Sequence, residues 1–129
     1  MPSFEIGEDR CRLRFTWERH GQDLRLHIGG GADHVGAMAL AARGKDSAVH
    51  IEVSSAPGHR EADLVRPAAE KICETLGVTA CVSAGVHLDR ITREEIAAIL
   101  QNAAAGTRKL IEMESAGGST VMTISDTGS

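Results

Sequence analysis

The sequence predicts an α+β fold, in which an antiparallel β-sheet meander packs against two amphipathic helices. Five segments with strand character precede the first stretch with helical spacing, and one further strand separates the two helices. A single crossover helix cannot build a parallel sheet, and short connections favour antiparallel neighbours. The 129 residues suffice for one core. We therefore expect a single domain over residues 1–129, with a flexible tail over 116–129.

Alternation of polar and apolar residues indicates most of the strands. It is clearest in the second and third strands, which a turn at His20-Gly21 joins into a hairpin. The fourth segment is small and apolar throughout, which is typical of a strand covered on both faces or packed closely against a helix. The predicted strands cover residues 3–8, 12–17, 23–28, 35–42, 49–53 and 78–84.

Two stretches have the three-to-four-residue apolar spacing of amphipathic helices. The first covers about residues 62–76 and is followed by Gly77, the residue type that commonly caps a helix C-terminus, although Pro67 conflicts with a helix interior. The second begins with a capping box at Thr92-Arg93-Glu94-Glu95, which fixes its start. After it, residues 120–125 are compatible with a short last strand or an ordered tail.

Composition excludes several functional classes. The net charge is −4 and aromatic residues make up 2%, so the chain has neither the basic patch nor the stacking rings of a nucleic-acid-binding protein. No run of about 18 apolar residues indicates a membrane span, and the N-terminus lacks the pattern of a signal peptide. The three cysteines form no C-x-x-C pair, which favours a reducing cytoplasm over a disulfide framework.

Three segments share one order of features: a strand, then glycine, histidine and carboxylate. If the strands alternate in direction, all three segments end at one edge of the sheet, and both helix N-termini open there. Imidazoles and carboxylates are ligands of divalent metals, and glycine loops and helix N-termini bind phosphate. The edge therefore suits a phosphorylated ligand, with or without a bridging metal. The residues expected there are Gly30, Gly31, Asp33, His34, Gly36, His59, Glu61, His87 and Asp89.

Each of these features also has an ordinary structural explanation. A triple glycine is most often a turn, and a histidine at a strand end is most often solvated. Asp89 could cap a turn, and Glu61 could sit favourably in the first turn of a helix. The remaining histidines, His20, His27 and His50, are interpreted as ordinary surface positions. No nucleophile motif is present, so no catalytic residue is assigned.

The ordered spacing of these motifs resembles a known family. It is carried by Gly30-x-x-x-His34-x-Gly36-Ala37-x-Ala39-Leu40, by Gly58-His59-x-Glu61, and by Ala84-Gly85-Val86-His87-x-Asp89 followed by Ile91-x-x-x-Glu95-Ile96. From about Asp23 to Ala105, the chain resembles the LpdD-like prenylated-flavin chaperones, which are encoded with gallate-type UbiD-like decarboxylases. The resemblance implies a proteasome-assembly-chaperone-like fold, an antiparallel sheet with two helices, and a homodimer.

The resemblance also implies a function. The protein would bind prenylated FMN, in its reduced form and with a divalent metal near the phosphate, and transfer it from a flavin prenyltransferase to a UbiD-like decarboxylase. The metal candidates are Mn²⁺ or Mg²⁺, with Zn²⁺ as a further option. The matching residues are His34, His59, Glu61, His87 and Asp89, with Gly30 and Gly36 shaping the backbone; the candidate metal ligands are His34, His59 and His87.

Two other hypotheses stay open at this point. One is a metal-dependent, hydrolase-like enzyme that uses the same cluster, with Glu61 or Asp89 as the base. The other is a purely structural decarboxylase subunit, in which the glycine loop only shapes a protein interface. The first predicts slow turnover of phosphoesters or amides, and the second predicts that the histidines are dispensable for partner binding.

Overall fold

A computed structural model describes residues 1–59 and 61–128 of the chain, with side chains described as far as residue 116. A short 3₁₀ turn, Asp9–Cys11, lies between the first two strands. The strands and helices, in chain order, are β1 (Ser3–Ile6), β2 (Leu13–His20), β3 (Asp23–Gly31), β4 (Ala37–Arg43), β5 (Val49–Ser55), α1 (Ala62–Leu76), β6 (Ala80–His87) and α2 (Arg93–Gly128).

The six strands form one mixed sheet in the order β1-β2-β3-β6-β4-β5. The last strand, β6, pairs parallel with β3 and antiparallel with β4, while the other neighbours are antiparallel. The α+β class is confirmed, but the prediction of an uninterrupted antiparallel meander is wrong between β3 and β4. The five residues 32–36 can span the ~10 Å of two interstrand spacings, so they leave room for β6 between the two strands.

Both helices pack on one face of the sheet, and α1 also contacts α2. Alternate side chains of each strand point toward the helices, and they form the core together with the inner faces of α1 and α2. Gly106 lets α2 pack closely on the sheet, because a Cβ atom there would lie 2.4 Å from the ring of Phe15. The largest fully buried side chains are Trp17, Phe15, Leu13, Leu26, Ile28, Ile72, Leu110, Val65, Val82 and Cys73.

The helix ends agree with the sequence signals. Gly77 follows α1 in the left-handed region at φ +70°, and its N–H donates to the Cys73 carbonyl. Pro67 lies inside α1, which nevertheless continues without interruption. The capping box at α2 is confirmed: Glu95 N donates to Thr92 Oγ1 at 3.1 Å, and Thr92 N donates to Glu95 Oε1 at 3.0 Å.

Two local predictions differ from the structure. The glycines 29–31 belong to β3 rather than ending it, because they pair with β6 up to the Gly31 and His87 register. The backbone over residues 120–125 is helical as part of α2, where the sequence allowed a short strand. The flexible tail expected over 116–129 stays a prediction, since the side chains from residue 117 onward lie outside the described part. Within that part, no helix has the length and hydropathy of a membrane span.

Candidate functional site

Most of the loops that carry histidines lie together at one end of the strands, which we call this edge of the sheet. Strands β3, β5 and β6 end at this edge and β4 begins there, as the register of Gly31 with His87 and of Ala37 with Ser55 requires. Helices α1 and α2 start just after β5 and β6, so their N-termini open toward the same edge. The sequence predicts that these strand ends and helix N-termini meet at one edge. That prediction depends only on the direction of each strand, and the position of β6 between β3 and β4 does not change these directions.

Three side chains meet at this edge. His34 Nε2 lies 3.2 Å from His59 Nδ1 and 3.3 Å from Glu61 Oε1, and His59 Nδ1 lies 3.7 Å from Glu61 Oε2. Among the described residues searched for metal-ligating groups, these three form the group whose ligand atoms all lie within 4.8 Å of one another. We call His34, His59 and Glu61 the HHE cluster.

The spacing of the HHE cluster fits a single small cation. Ligand atoms that bind one zinc ion at ~2.0 Å in tetrahedral geometry are ~3.3 Å apart. The contacts of His34 Nε2 with His59 Nδ1 and Glu61 Oε1, at 3.2 and 3.3 Å, match this spacing. Two imidazoles and a carboxylate are also the donor set that first-row transition metals and zinc accept. The residues present therefore fit a divalent metal.

The orientation of His34 supports the same conclusion. Its Nδ1–H donates to the Ala32 carbonyl at 3.0 Å, because a carbonyl oxygen can only accept. In the neutral imidazole, Nε2 then presents a lone pair to the Glu61 carboxylate 3.3 Å away. Two acceptors at this distance need a proton or a metal ion between them. Metal-ligating histidines commonly use the other ring nitrogen in this way, to fix the ring against a backbone carbonyl.

Glu61 is the buried member of the HHE cluster. Its exposed fraction is 7%, and its Oε2 has no hydrogen-bond partner within the part of the chain that the structure describes. A buried acceptor without a donor costs about 1–3 kcal/mol. The backbone carbonyl of Glu61 accepts from Leu64 and Val65 and so begins α1, which holds the carboxylate at the positive end of the helix. The helix end therefore favours the ionised carboxylate, and Oε2 is left able to accept a hydrogen bond or to bind a cation.

Two glycines make room for the HHE cluster. The loop of residues 32–36 crosses the end of β6 directly over Gly85, where a Cβ atom would lie 1.7 Å from the His34 carbonyl oxygen. At Gly36, a Cβ atom would lie 2.1 Å from Glu61 Oε2. Backbone hydrogen bonds hold both ends of this loop to β6: Ala32 N donates to the His87 carbonyl at 3.2 Å, and Gly36 N donates to the Ala84 carbonyl at 2.8 Å. The glycine pattern of the sequence thus has a steric role at the cluster.

The opposite wall of the HHE cluster comes from the turn after β5. His59 N donates to the Ala56 carbonyl at 3.1 Å, and Gly58 adopts φ +80° within this turn. The imidazole rings of His34 and His59 have their centroids 4.8 Å apart. The side chain of His34 is 26% exposed and that of His59 is 38% exposed, so the cluster can be reached from solvent.

The other predicted site residues lie outside this cluster. His87 Nε2 pairs with Asp89 Oδ1 at 3.1 Å on the surface, and neither residue belongs to the group of ligand atoms around Glu61. Gly31 lies beside His87 at φ +61°, where a Cβ atom would lie 2.1 Å from the His87 carbonyl oxygen. Gly30 packs against Leu13 and the Arg12 backbone. Of the three histidines predicted as metal ligands, the structure brings together two, and Glu61 joins them.

Asp33 interacts with His27, which the sequence does not predict as a site residue. Its Oδ1 lies 2.8 Å from His27 Nε2, and His27 Nδ1 lies 2.8 Å from Ser83 Oγ. The strand pattern predicts an ordinary outward position for His27, because nothing in the sequence shows that β6 lies next to β3. Only the parallel register that places His27 opposite Ser83 identifies this group of three.

Arg10 joins the start of α2 to the N-terminal part of the chain. Its guanidinium donates to both carboxylate oxygens of Glu95, at 2.8 and 3.2 Å, and to the Asp89 carbonyl at 2.7 Å. The hydrogen bonds from Arg10 and from the Thr92 backbone lower the pKa of Glu95, while the Glu95 carboxylate raises the pKa of Arg10. These bonds hold the segment after His87 against α2.

Comparison with known proteins adds a family and a fold. A family model described as the prenylated flavin chaperone LpdD-like domain matches residues 7–115. Six solved chains match the structure. One comes from the crystal structure of a chaperone complex for yeast 20S proteasome assembly, with a TM-score of 0.63 and 16% identity over 89% of this chain and 94% of that chain. At 16% identity, this structural match shows the fold alone, and it confirms the predicted proteasome-assembly-chaperone-like architecture. A search of curated proteins finds no match.

Proposed function

Because the chain belongs to the LpdD-like family of prenylated flavin chaperones, we propose that it binds reduced prenylated FMN and delivers it to a UbiD-like decarboxylase. A flavin prenyltransferase supplies the cofactor in this proposal. The chain acts as a binding and delivery protein without turnover of its own. The match over residues 7–115 is the observation that carries the proposal, since it includes every element around the candidate site.

We propose further that the binding depends on a divalent metal held by the HHE cluster, with Glu61 in the place that the sequence prediction assigned to His87. Two observations support this proposal: Glu61 Oε2 has no hydrogen-bond partner within the described part of the chain, and the ligand atoms of the cluster have the spacing that a single cation needs. Such a cation supplies positive charge for an anionic group of the ligand, such as the flavin phosphate. Mn²⁺ and Zn²⁺ suit the two imidazoles better than Mg²⁺, which prefers oxygen ligands and water.

The chain's own residues perform the remaining parts of binding. His34 and His59 are partly exposed, so the open side of the cluster faces the ligand. The N-termini of α1 and α2 open at the same edge and favour negative charge. His87 and Asp89 stay proposed cofactor contacts, beside the backbone of Gly30 and Gly31 at the ends of the paired strands β3 and β6.

The direct test is anaerobic co-elution. Purified protein is mixed with reduced prenylated FMN, with and without Mn²⁺, and passed over a desalting column. We expect the flavin to elute with the protein, and more of it when Mn²⁺ is present. The variant His59→Ala should lose the effect of Mn²⁺, while His50→Ala, which removes an exposed histidine from β5, should behave like the wild type. Failure of the wild type to retain any flavin would contradict the proposal.

The alternative of a metal-dependent hydrolase rests on the same HHE cluster. Its two candidate bases are placed unfavourably, because Glu61 belongs to the cluster itself and Asp89 pairs with His87. A hydrolase should still cleave 4-nitrophenyl phosphate or a simple amide when Mn²⁺ or Zn²⁺ is added, and His34→Ala should abolish the turnover. Tight flavin binding without any turnover would favour the chaperone function.

We also propose that the protein is a homodimer in the cytoplasm. The family likeness supports the dimer, and the three free cysteines, Cys11, Cys73 and Cys81, support a reducing compartment. Light scattering of the purified chain tests the oligomeric state. A mass near the 13.6 kDa of one chain would contradict the dimer.

A further inference from the structure

A hydrogen-bonded chain of three side chains lies on the face of the sheet opposite the helices. His27 of β3 and Ser83 of β6 are register partners in the parallel pair, and Asp33 follows in the loop after β3. A carboxylate can only accept, so His27 Nε2–H donates to Asp33 Oδ1 at 2.8 Å. In the neutral ring, His27 Nδ1 accepts, and the Ser83 hydroxyl donates to it at 2.8 Å. Ser83 thus fixes the tautomer in which His27 binds Asp33.

Asp33 is the residue directly before His34, so its position sets the path of the loop at the HHE cluster. Its carboxylate lies over the bare backbone of Gly29, where a Cβ atom would be 2.6 Å from Asp33 Oδ1. Backbone bonds hold the loop at Ala32 and Gly36. Between these two points, the bond from His27 is a side-chain anchor, and it reaches the loop from the middle of the sheet.

We infer that Ser83, His27 and Asp33 are positioning residues for the metal ligand His34. They hold the loop of residues 32–36 in the path where His34 Nε2 faces Glu61 and His59 before any metal is bound. A ligand that is already in place loses little conformational entropy on binding, so this arrangement raises metal affinity. The inference rests on the metal site of the proposed function.

The test compares the metal affinity and the ligand geometry of the wild type with those of variants of His27 and Ser83. Co²⁺ or Zn²⁺ is titrated into the full chain by calorimetry, and the Co²⁺ absorption spectrum reports the ligand geometry. His27→Ala should weaken binding by about 10- to 100-fold, the range for residues that orient metal ligands, and should change the Co²⁺ spectrum. His27→Gln, which can still donate to Asp33, should recover most of the affinity. Ser83→Ala should weaken binding less, because it removes only the group that fixes the tautomer.

The matched control is His50→Ala. His50 also pairs with an aspartate, Asp46, at 3.1 Å on the surface, but it lies near the turn between β4 and β5, at the opposite edge of the sheet. We expect its metal affinity to equal that of the wild type. This comparison separates loss of a positioning contact from loss of any surface histidine.

The outcomes separate this inference from the metal site itself. If the wild type binds metal and both His27→Ala and Ser83→Ala bind it equally well, the positioning role is overturned while the metal site stands. If the wild type binds neither Co²⁺ nor Zn²⁺, the metal site is overturned and the inference with it. If His27→Ala does not fold, Ser83→Ala decides the question, because it changes a single hydroxyl.

Discussion

Replacing Glu61 with glutamine tests the HHE cluster with the smallest change of shape. The side chain is 7% exposed and its Oε2 has no hydrogen-bond partner among the residues that the structure describes, so the substitution removes a buried charge while it leaves the packing unchanged. The new amide can donate to His34 Nε2, the atom that now lies 3.3 Å from Oε1. We therefore expect Glu61→Gln to unfold at a temperature equal to or above that of the metal-free wild type.

The effect of Glu61→Gln on the unfolding temperature appears only when metal is added. Glu61 supplies the anionic ligand of the cluster, so we expect its removal to weaken metal binding at least about 100-fold, the upper end of the range for residues that only support ligands. At a free metal concentration of ~100 times the dissociation constant, binding stabilises the wild type by ~2.7 kcal/mol. At ~4 °C per kcal/mol for a domain of this size, the shift in unfolding temperature is ~10 °C. The variant should shift by no more than ~2 °C.

Differential scanning fluorimetry with and without Zn²⁺ or Mn²⁺ measures both quantities in one experiment. His87→Ala is the matched comparison, because His87 was predicted as a metal ligand but lies outside the HHE cluster. It should keep the full metal-dependent shift. If Glu61→Gln shifts as much as the wild type, or if His87→Ala abolishes the shift, the reasoning from the buried carboxylate is refuted.

Three further predictions concern the loop over β6, the pair of Arg10 with Glu95, and the buried Cys73. Gly85→Ala should displace the loop over β6 and weaken metal binding, because its Cβ would lie 1.7 Å from the His34 carbonyl oxygen; calorimetry would show this, and unchanged affinity would contradict it. Arg10 lowers the pKa of Glu95 from its ordinary value of 4.5, so this pair stabilises the fold above that pH, and the contribution disappears as the pH falls through the lowered pKa. Arg10→Gln should therefore destabilise the protein at pH 7 more than at pH 3 in urea titrations, and equal effects would contradict this. Burial raises the pKa of Cys73, so iodoacetamide should modify it more slowly than the other two cysteines, as peptide mass spectrometry would show; equal rates would contradict burial.

The elements of the fold could be predicted from the sequence because their signals are local. Apolar alternation identified the strands, and the capping residues at Gly77 and Thr92 placed one end of each helix. The strand order could not be predicted in this way. Whether β6 is an outermost strand of the sheet or lies between β3 and β4 depends on nonlocal backbone pairing, for which the sequence carries no pattern of its own.

The candidate site could likewise be predicted only in part from the sequence. Strand direction alone brings His34 and His59 to one edge, and in the structure His34 Nε2 lies 3.2 Å from His59 Nδ1. Side-chain direction decides the third member, and the sequence could not distinguish the buried Glu61 from the surface residue His87. The contact of His27 with Ser83 depends on the inserted strand, so it could be found only in three dimensions.

The most direct measurement is anomalous diffraction from crystals grown anaerobically with Mn²⁺ and reduced prenylated FMN. We predict one manganese peak per chain, bound by His34, His59 and Glu61, with electron density for the flavin at the same edge of the sheet. A manganese peak at His87 and Asp89 instead would contradict the assignment of the metal ligands. Crystals with neither manganese nor flavin at this edge would contradict the proposed function.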